Sequence, residues 1–177
     1  MRESLSKRKS LKMSKLKYQD YEWAMGEALL FAEAAAKADE VPIGACLLDS
    51  QGKIICGAGN EKESVHDPCG HAEIITLRKA AELLGDWRLE NCTLVVTLEP
   101  CLMCMGALWQ SRIKTLVFGA YDSKGGALSL GYDVHKDKRL NHQFSVIGGV
   151  KHYETSRLLS QFFRQKRGTY NFKKPKS

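Results

Sequence analysis

The chain has 177 residues, 44% of them apolar and 27% charged, with a net charge of +7. A chain of this length buries roughly 70% of its unfolded surface in one domain without disulfide help, and its globular balance excludes wholesale disorder, collagen and coiled coil. No apolar run approaches the ~18 residues of a membrane span, and the N-terminus lacks the apolar stretch of a secretory signal.

Residues 1–17 carry seven Lys or Arg against Glu3 and have no core pattern. They are expected to form a disordered basic extension, in which Met13 offers a second candidate start. Residues 20–38 predict an amphipathic helix capped by Asp20, with Trp23, Ala24, Glu27, Ala28, Phe31 and Ala35 at helical spacing. Val41-Pro42-Ile43-Gly44 ends it. The apolar runs 43–48 and 53–58, around Asp49-Ser50-Gln51-Gly52, predict a β-hairpin. Residues 71–84 predict a helix with Ile74, Ile75, Leu77, Ala81 and Leu84 on one side and Gly85 as its stop. A β-branched strand is expected at 93–98, a short helix at 101–110 and a strand at 114–118. A loop rich in glycine and polar residues follows at 119–131. A fifth strand is expected at 144–147 and a closing helix at 153–166, with Leu158, Leu159, Phe162 and Phe163 on its apolar side.

Residues 164–177 hold six Lys or Arg and no acid, which leaves the body, 18–163, at a net charge of −5. The expected organisation is therefore a folded domain over 18–167 with a basic extension before it and a basic tail, 168–177, after it. Two basic ends on an acidic body suit either simple solvation or a phosphate-rich partner. Helices alternating with strands indicate a layered α/β domain with some strands parallel.

The chemistry concentrates in two stretches, His71-Ala72-Glu73 and Pro100-Cys101-Leu102-Met103-Cys104. Six cysteines in a chain of this length without a secretion signal suit a reducing compartment, where clustered cysteines bind metal or act in catalysis. Cys101 and Cys104 fall at i and i+3, so their sulfurs can meet on one helix face at an N-terminus that favours thiolate. Alone, such a pair is a redox couple, half of a structural zinc site, or chance. His71 adds a third ligand, and three protein ligands are the count of catalytic zinc, whereas structural zinc takes four. Cys69 and Cys92 are the candidates for a fourth, which would make the site structural. Glu73 can carry protons for a zinc-bound water. Helical counting puts it roughly 200° from His71, so the first turn must be irregular or the side chain must bend back.

The compound H-x-E … P-C-x-x-C pattern is that of the zinc nucleobase deaminases. Around it, Glu40-Val41-Pro42-Ile43-Gly44-Ala45, His66-Asp67-Pro68, Thr97-Leu98-Glu99-Pro100-Cys101, Ser111-Arg112-Ile113 and Val117-Phe118-Gly119-Ala120 resemble the bacterial tRNA-specific adenosine deaminases. So do Asp122-Ser123-Lys124-Gly125-Gly126, Asn141-His142 and Phe162-Phe163-Arg164. The resemblance spans about residues 20–167. Cys69-Gly70 stands where that family usually has Thr-Ala, and Tyr121, Leu130, Gly131 and Tyr132 also depart from its common loop.

The resemblance implies a cytidine-deaminase-like three-layer α/β/α fold with a five-stranded mixed sheet, working as a cytoplasmic homodimer. It implies one Zn2+ per subunit, held by His71, Cys101 and Cys104, with Glu73 as the catalytic proton carrier. The implied reaction converts adenosine to inosine at the wobble position of a tRNA anticodon, with an arginine tRNA as the partner. Asn60 and Ile43 are implied as base contacts, and Asp122, Asn141 and Arg164 as contacts to the RNA. Lys166 and Arg167 suit phosphate or a solvated helix end, and Tyr121 is the aromatic best placed to touch a nucleotide. Cys46, Cys56 and Cys92 read as packing residues, His135, His142 and His152 as surface or turn residues, and Trp23, Trp87 and Trp109 as core or dimer-interface residues. Two other readings share the metal: a deaminase of free guanine, cytosine or a nucleoside, and a non-catalytic zinc-stabilised RNA-binding module.

Overall fold

In a computed structural model, residues 16–169 are described. The basic extension up to residue 15, including Met13, and the tail from residue 170 lie outside the described residues. The elements are α1 (Tyr18–Lys37), β1 (Gly44–Leu48), β2 (Ile54–Gly59), α2 (Ala72–Leu84), β3 (Thr93–Leu98), α3 (Leu102–Gln110), β4 (Thr115–Ala120), β5 (Ser145–Ile147) and α4 (His152–Thr169), with a short 3-10 turn at Val134–Lys136.

The strands form one sheet in the order β2-β1-β3-β4-β5. β1 runs antiparallel to both β2 and β3, while β3, β4 and β5 are parallel. The β1–β2 hairpin closes through Asp49, whose carboxylate accepts the Gln51 and Lys53 N–H groups at 2.8 and 3.0 Å, an Asx turn. Parallel neighbours need a crossover. α3 supplies it between β3 and β4, and the long segment with the 3-10 turn supplies it between β4 and β5.

Alternation along the strands decides which helices cover which face. Ala45, Leu47, Leu94, Val96, Leu116 and Phe118 point to one side and pack with Ala72, Leu77 and Ala80 of α2 and Met105 and Leu108 of α3. Cys46, Leu48, Val95 and Val117 point to the other and pack with Ala24, Met25 and Ala28 of α1. The result is the expected three-layer α/β/α arrangement with a mixed sheet. The parallel strands end together at Leu98 and Ala120, and α2 and α3 begin near that edge; in α/β sheets this carboxyl edge is where ligands bind.

Several local expectations are corrected. α1 starts at Tyr18, so Asp20 is not its cap but lies one turn inside, where its carboxylate accepts the Lys17 N–H at 2.6 Å. Leu16, assigned to the extension, packs against the α1 side of the core. Of the three tryptophans, expected in the core or at a dimer interface, Trp109 packs against the core as expected, while Trp23 and Trp87 stand about half exposed outside it, with the Arg88 guanidinium 4.2 Å from the Trp87 ring. β4 continues through Ala120, so the loop begins at Tyr121. α4 starts one residue earlier than expected and runs to Thr169, past the expected end of the domain at 167.

Candidate metal centre and its cleft

Both chemical stretches begin at helix N-caps. His71 precedes α2 with extended backbone (φ −80°, ψ 144°), and its carbonyl accepts the Ile75 N–H at 3.0 Å. Cys101 precedes α3 in the same conformation (φ −72°, ψ 171°), pinned by an antiparallel bridge to Gly126. His71 is thus not a helical residue, and the 200° separation from Glu73 does not arise. The side chain of His71 is free to turn toward the α3 cap while Glu73 sits in the first turn of α2. His71 Nδ1 lies 3.7 Å from Cys101 Sγ and 3.5 Å from Cys104 Sγ, and the two sulfurs are 3.6 Å apart. Among the described residues this trio is the His/Cys/Asp/Glu group whose donor atoms share one point. Cys69 and Cys92 do not join it: the Cys69 N–H binds Asp67, and Cys92 is buried in the core.

The thiols divide by environment. Burial pushes Cys46 up to about 12 and Cys92 up to about 11, so both are packing residues, and half-buried Cys56 is also raised by burial. Cys101 is held down to about 4, first by the hydrogen bond from Cys104 and then by His71. Cys104 is raised, first by its hydrogen bond with Cys101 and then by burial. Two helix N-termini facing the cluster add positive potential. The Glu73 carboxyl is buried, and burial raises its pKa. It is close enough to His71 and Cys104 to interact with both.

A cleft of about 910 Å³ opens at this edge of the sheet. Of the predicted residues, it gathers His71, Asn60, Ile43, Asp122 and Arg164 on its walls, with Tyr121 beside Asp122. Asn60 is buried, and its Oδ1 accepts the Ala72 N–H at 2.9 Å; this leaves the amide NH2 as the donor for a ligand. Tyr121 stands edge-on to Phe118, with ring centroids 5.0 Å apart. Asn141 is not brought to the cleft: it accepts a 3.0 Å hydrogen bond from Arg112. Lys166 is engaged by Asp39 at 2.5 Å, whereas Arg167 lines the cleft. His142 binds the Ile113 carbonyl and His135 packs on Phe144.

Sequence reasoning missed four residues here. Lys62 and Lys124 line the cleft, bringing its cations with Arg164 and Arg167 to four against Asp122. Glu40 and Glu99, 1% and 2% exposed, organise the flanking loops. Glu40 accepts the Lys62 N–H at 3.0 Å and the Ser64 N–H and hydroxyl at 2.8 and 2.9 Å. Glu99 accepts the Asp122 and Ser129 N–H groups at 3.0 and 2.7 Å and the Ser129 hydroxyl at 2.5 Å. The available signal was a carboxylate set beside proline and apolar residues, in Glu40-Val41-Pro42 and Leu98-Glu99-Pro100.

Residues 18–120 match the cytidine and deoxycytidylate deaminase zinc-binding region. The chain belongs to that deaminase family. It is 45% identical to the tRNA-specific adenosine deaminase of Bacillus subtilis over 143 residues, which cover 81% of this chain and 88% of the relative. It is 44% identical to the Haemophilus influenzae enzyme of the same name over 154 residues, 87% of this chain and 89% of the relative. A solved structure from work on A-to-I editing by tRNA:A34 deaminases at the wobble position of transfer RNA superposes with a TM-score of 0.73 at 40% identity, covering 77% of this chain and 99% of that one.

The deaminase family implies zinc, and the donor geometry fits it. Tetrahedral zinc, with sulfur at ~2.3 Å and nitrogen at ~2.0 Å, sets sulfur–sulfur edges of about 3.8 Å and nitrogen–sulfur edges of about 3.5 Å. The separations of 3.6, 3.7 and 3.5 Å match one face of such a tetrahedron. Zinc is the cofactor of this deaminase domain, and His71, Cys101 and Cys104 lie close enough together to hold one ion.

Proposed function

We infer that the protein is a hydrolase that deaminates adenosine to inosine at the wobble position of a tRNA anticodon loop. The carrying observation is a three-ligand metal cluster beside a buried carboxyl, with its His71 lining a cleft that also holds four cations. A free base needs no cationic lining of this extent, and a structural zinc needs no buried acid next to it.

Bound zinc supplies Lewis-acid activation of the hydrolytic water near neutral pH. Glu73 takes a proton from that water and delivers it to N1 of adenine as the water oxygen bonds to C6; it then carries the proton of the new C6 hydroxyl to the amino group, and the C6–N bond breaks to release ammonia. Burial raises the Glu73 pKa, the direction that suits a proton carrier. Asn60 donates its amide NH2 to the base, and Ile43 forms an apolar wall against the ring. Arg164, with Lys62, Lys124 and Arg167, meets the phosphates of the loop. An anticodon loop is already single-stranded, so turning the base into the pocket costs little. Asp122, two residues past the end of β4, has a backbone N–H held by Glu99 and contacts the loop from the cleft lining.

The partner is an arginine tRNA and the working unit a cytoplasmic homodimer. Support for the dimer comes from Leu102, Met103, Leu130 and Tyr132, exposed on α3 and on the loop bridged to its start; Asn141 and Arg112 then contribute at the dimer edge. All six cysteines are free, which suits the reducing cytoplasm. The deciding experiment incubates zinc-loaded protein with an arginine anticodon stem-loop and, in parallel, with free guanine, cytosine and adenosine. A gain of about 1 Da at the wobble adenosine is expected, as the amino group is replaced by oxygen. Ammonia release from a free base with an unmodified stem-loop would overturn the assignment.

A further inference from the structure

α4 carries two stripes one residue out of step. Thr155, Leu159, Phe162 and Lys166, at i, i+4, i+7 and i+11, share one face. Thr155 is buried against Gly119, and Leu159 and Phe162 are half-buried. Ser156, Ser160, Phe163 and Arg167 form the second stripe, turned about 100° from the first, and with Arg164 they line the cleft. The rotation of α4 about its axis therefore sets where both arginines point. Residues 163–167 are all exposed, so apolar packing fixes that rotation poorly at the end nearest the phosphates.

The α1–β1 turn reaches this end. Asp39, in left-handed backbone (φ 66°), meets Lys166 Nζ at 2.5 and 2.6 Å through its two oxygens, across 127 positions of sequence. Lys166 Nζ also lies 5.6 Å from the centre of the Phe162 ring. The next residue, Glu40, holds the backbone of Lys62, which also lines the cleft, and of Ser64. Two consecutive carboxylates thus hold two segments that line the cleft, exposed Asp39 gripping Lys166 of α4 and buried Glu40 the 62–64 loop.

We propose that Asp39 is a positioning residue for RNA, acting through Lys166 to fix the rotation of α4 and thereby to aim Arg164 and Arg167 into the cleft. The proposal rests on the RNA-deaminase reading. It assigns Lys166 to the helix anchor rather than to phosphate. An exposed ion pair contributes little to global stability, so its effect belongs in substrate affinity.

The test compares the full chain with Asp39→Asn, Lys166→Met, the double variant and the exchanged pair D39K/K166D, which preserves net charge. Stem-loop kinetics and amide hydrogen exchange over residues 158–167 are measured for each. Each single change is expected to raise KM about two- to fivefold with kcat unchanged and to speed exchange in α4 by a similar factor. The double should be no worse than either single, and the exchanged pair should recover both readouts. A KM that is unchanged or lowered in Asp39→Asn overturns the proposal, because Lys166 would then be idle or would itself bind phosphate. An exchanged pair as weak as the Lys166→Met single overturns it as well. Should the wild type fail to convert the stem-loop, the activity reading falls. The exchange rates then decide the anchor alone: unaltered exchange in Asp39→Asn refutes it, and faster exchange reversed by the swapped charges upholds it.

Discussion

Glu73 and Glu40 are both buried carboxyl groups, yet their surroundings give them opposite tasks. Glu73 is raised by burial and lies against the ligand cluster. Glu73→Gln keeps the shape and removes the proton carrier. Turnover of the stem-loop should fall by ~10²–10⁴-fold, while metal analysis still finds one zinc per chain. For Glu40, burial raises the pKa, but the hydrogen bonds from Ser64, Glu63 and Lys62 together outweigh it, so the group sits below its ordinary value of 4.5. Its charged form therefore stabilises the fold fully above the ordinary carboxylate range, and that contribution is lost as pH falls through the depressed folded value. Glu40→Gln places an NH2 against a backbone N–H and should cost about 1–3 kcal/mol at pH 7. The stability gap to wild type, followed by urea unfolding, should narrow below pH 4.5. The ligands were legible from residue type and spacing. Glu40 and Glu99 were not, because their donors lie 22 to 30 positions away.

At the scale of elements, β1 shows how closely a helix and strand can approach when side chains are small. α1 presents Ala24, Ala28, Ala32 and Ala35 to the sheet, and a Cβ at Gly44 would stand 2.1 Å from the Ala28 carbonyl oxygen and 2.4 Å from the Ala32 nitrogen. Both obstacles are backbone and cannot swing aside. Gly44→Ala is expected to cost about 1–3 kcal/mol through displacement of α1, read as a lower Tm. Ile43, on the cleft wall one residue earlier, would move with the strand, so KM should rise as well. Helical periodicity revealed the four α-helices, and continuous apolar runs revealed β1, β3 and β4, which are buried on both faces; the 3-10 turn at Val134–Lys136 was not foreseen. These patterns misplaced element ends where side-chain hydrogen bonds, such as Asp20 to the Lys17 N–H, decide the first turn.

The whole molecule joins an acidic body to a cationic cleft. Lys62, Lys124, Arg164 and Arg167 line one opening although the body 18–163 carries a net −5. Affinity for the stem-loop should fall as salt rises, with log K linear in log salt. Arg164→Ala should weaken binding to every stem-loop sequence and flatten that slope by about one unit. Light scattering should report a dimer for wild type, and Met103→Glu, which places a charge in the exposed apolar patch, should yield monomer with its fold intact.

Residue type and spacing pointed to a candidate zinc-ligand set, a candidate proton carrier and the alternation of helices and strands, because those depend on chemistry carried within a few consecutive positions. Tertiary structure alone decided that His71 and Cys101 stand at two helix caps facing one point, that Lys62 and Lys124 join the cleft, that Asn141 turns to Arg112, and that Asp39 holds the end of α4. Each of these is a meeting of groups distant along the chain, and their separation in space is set by how the layers pack.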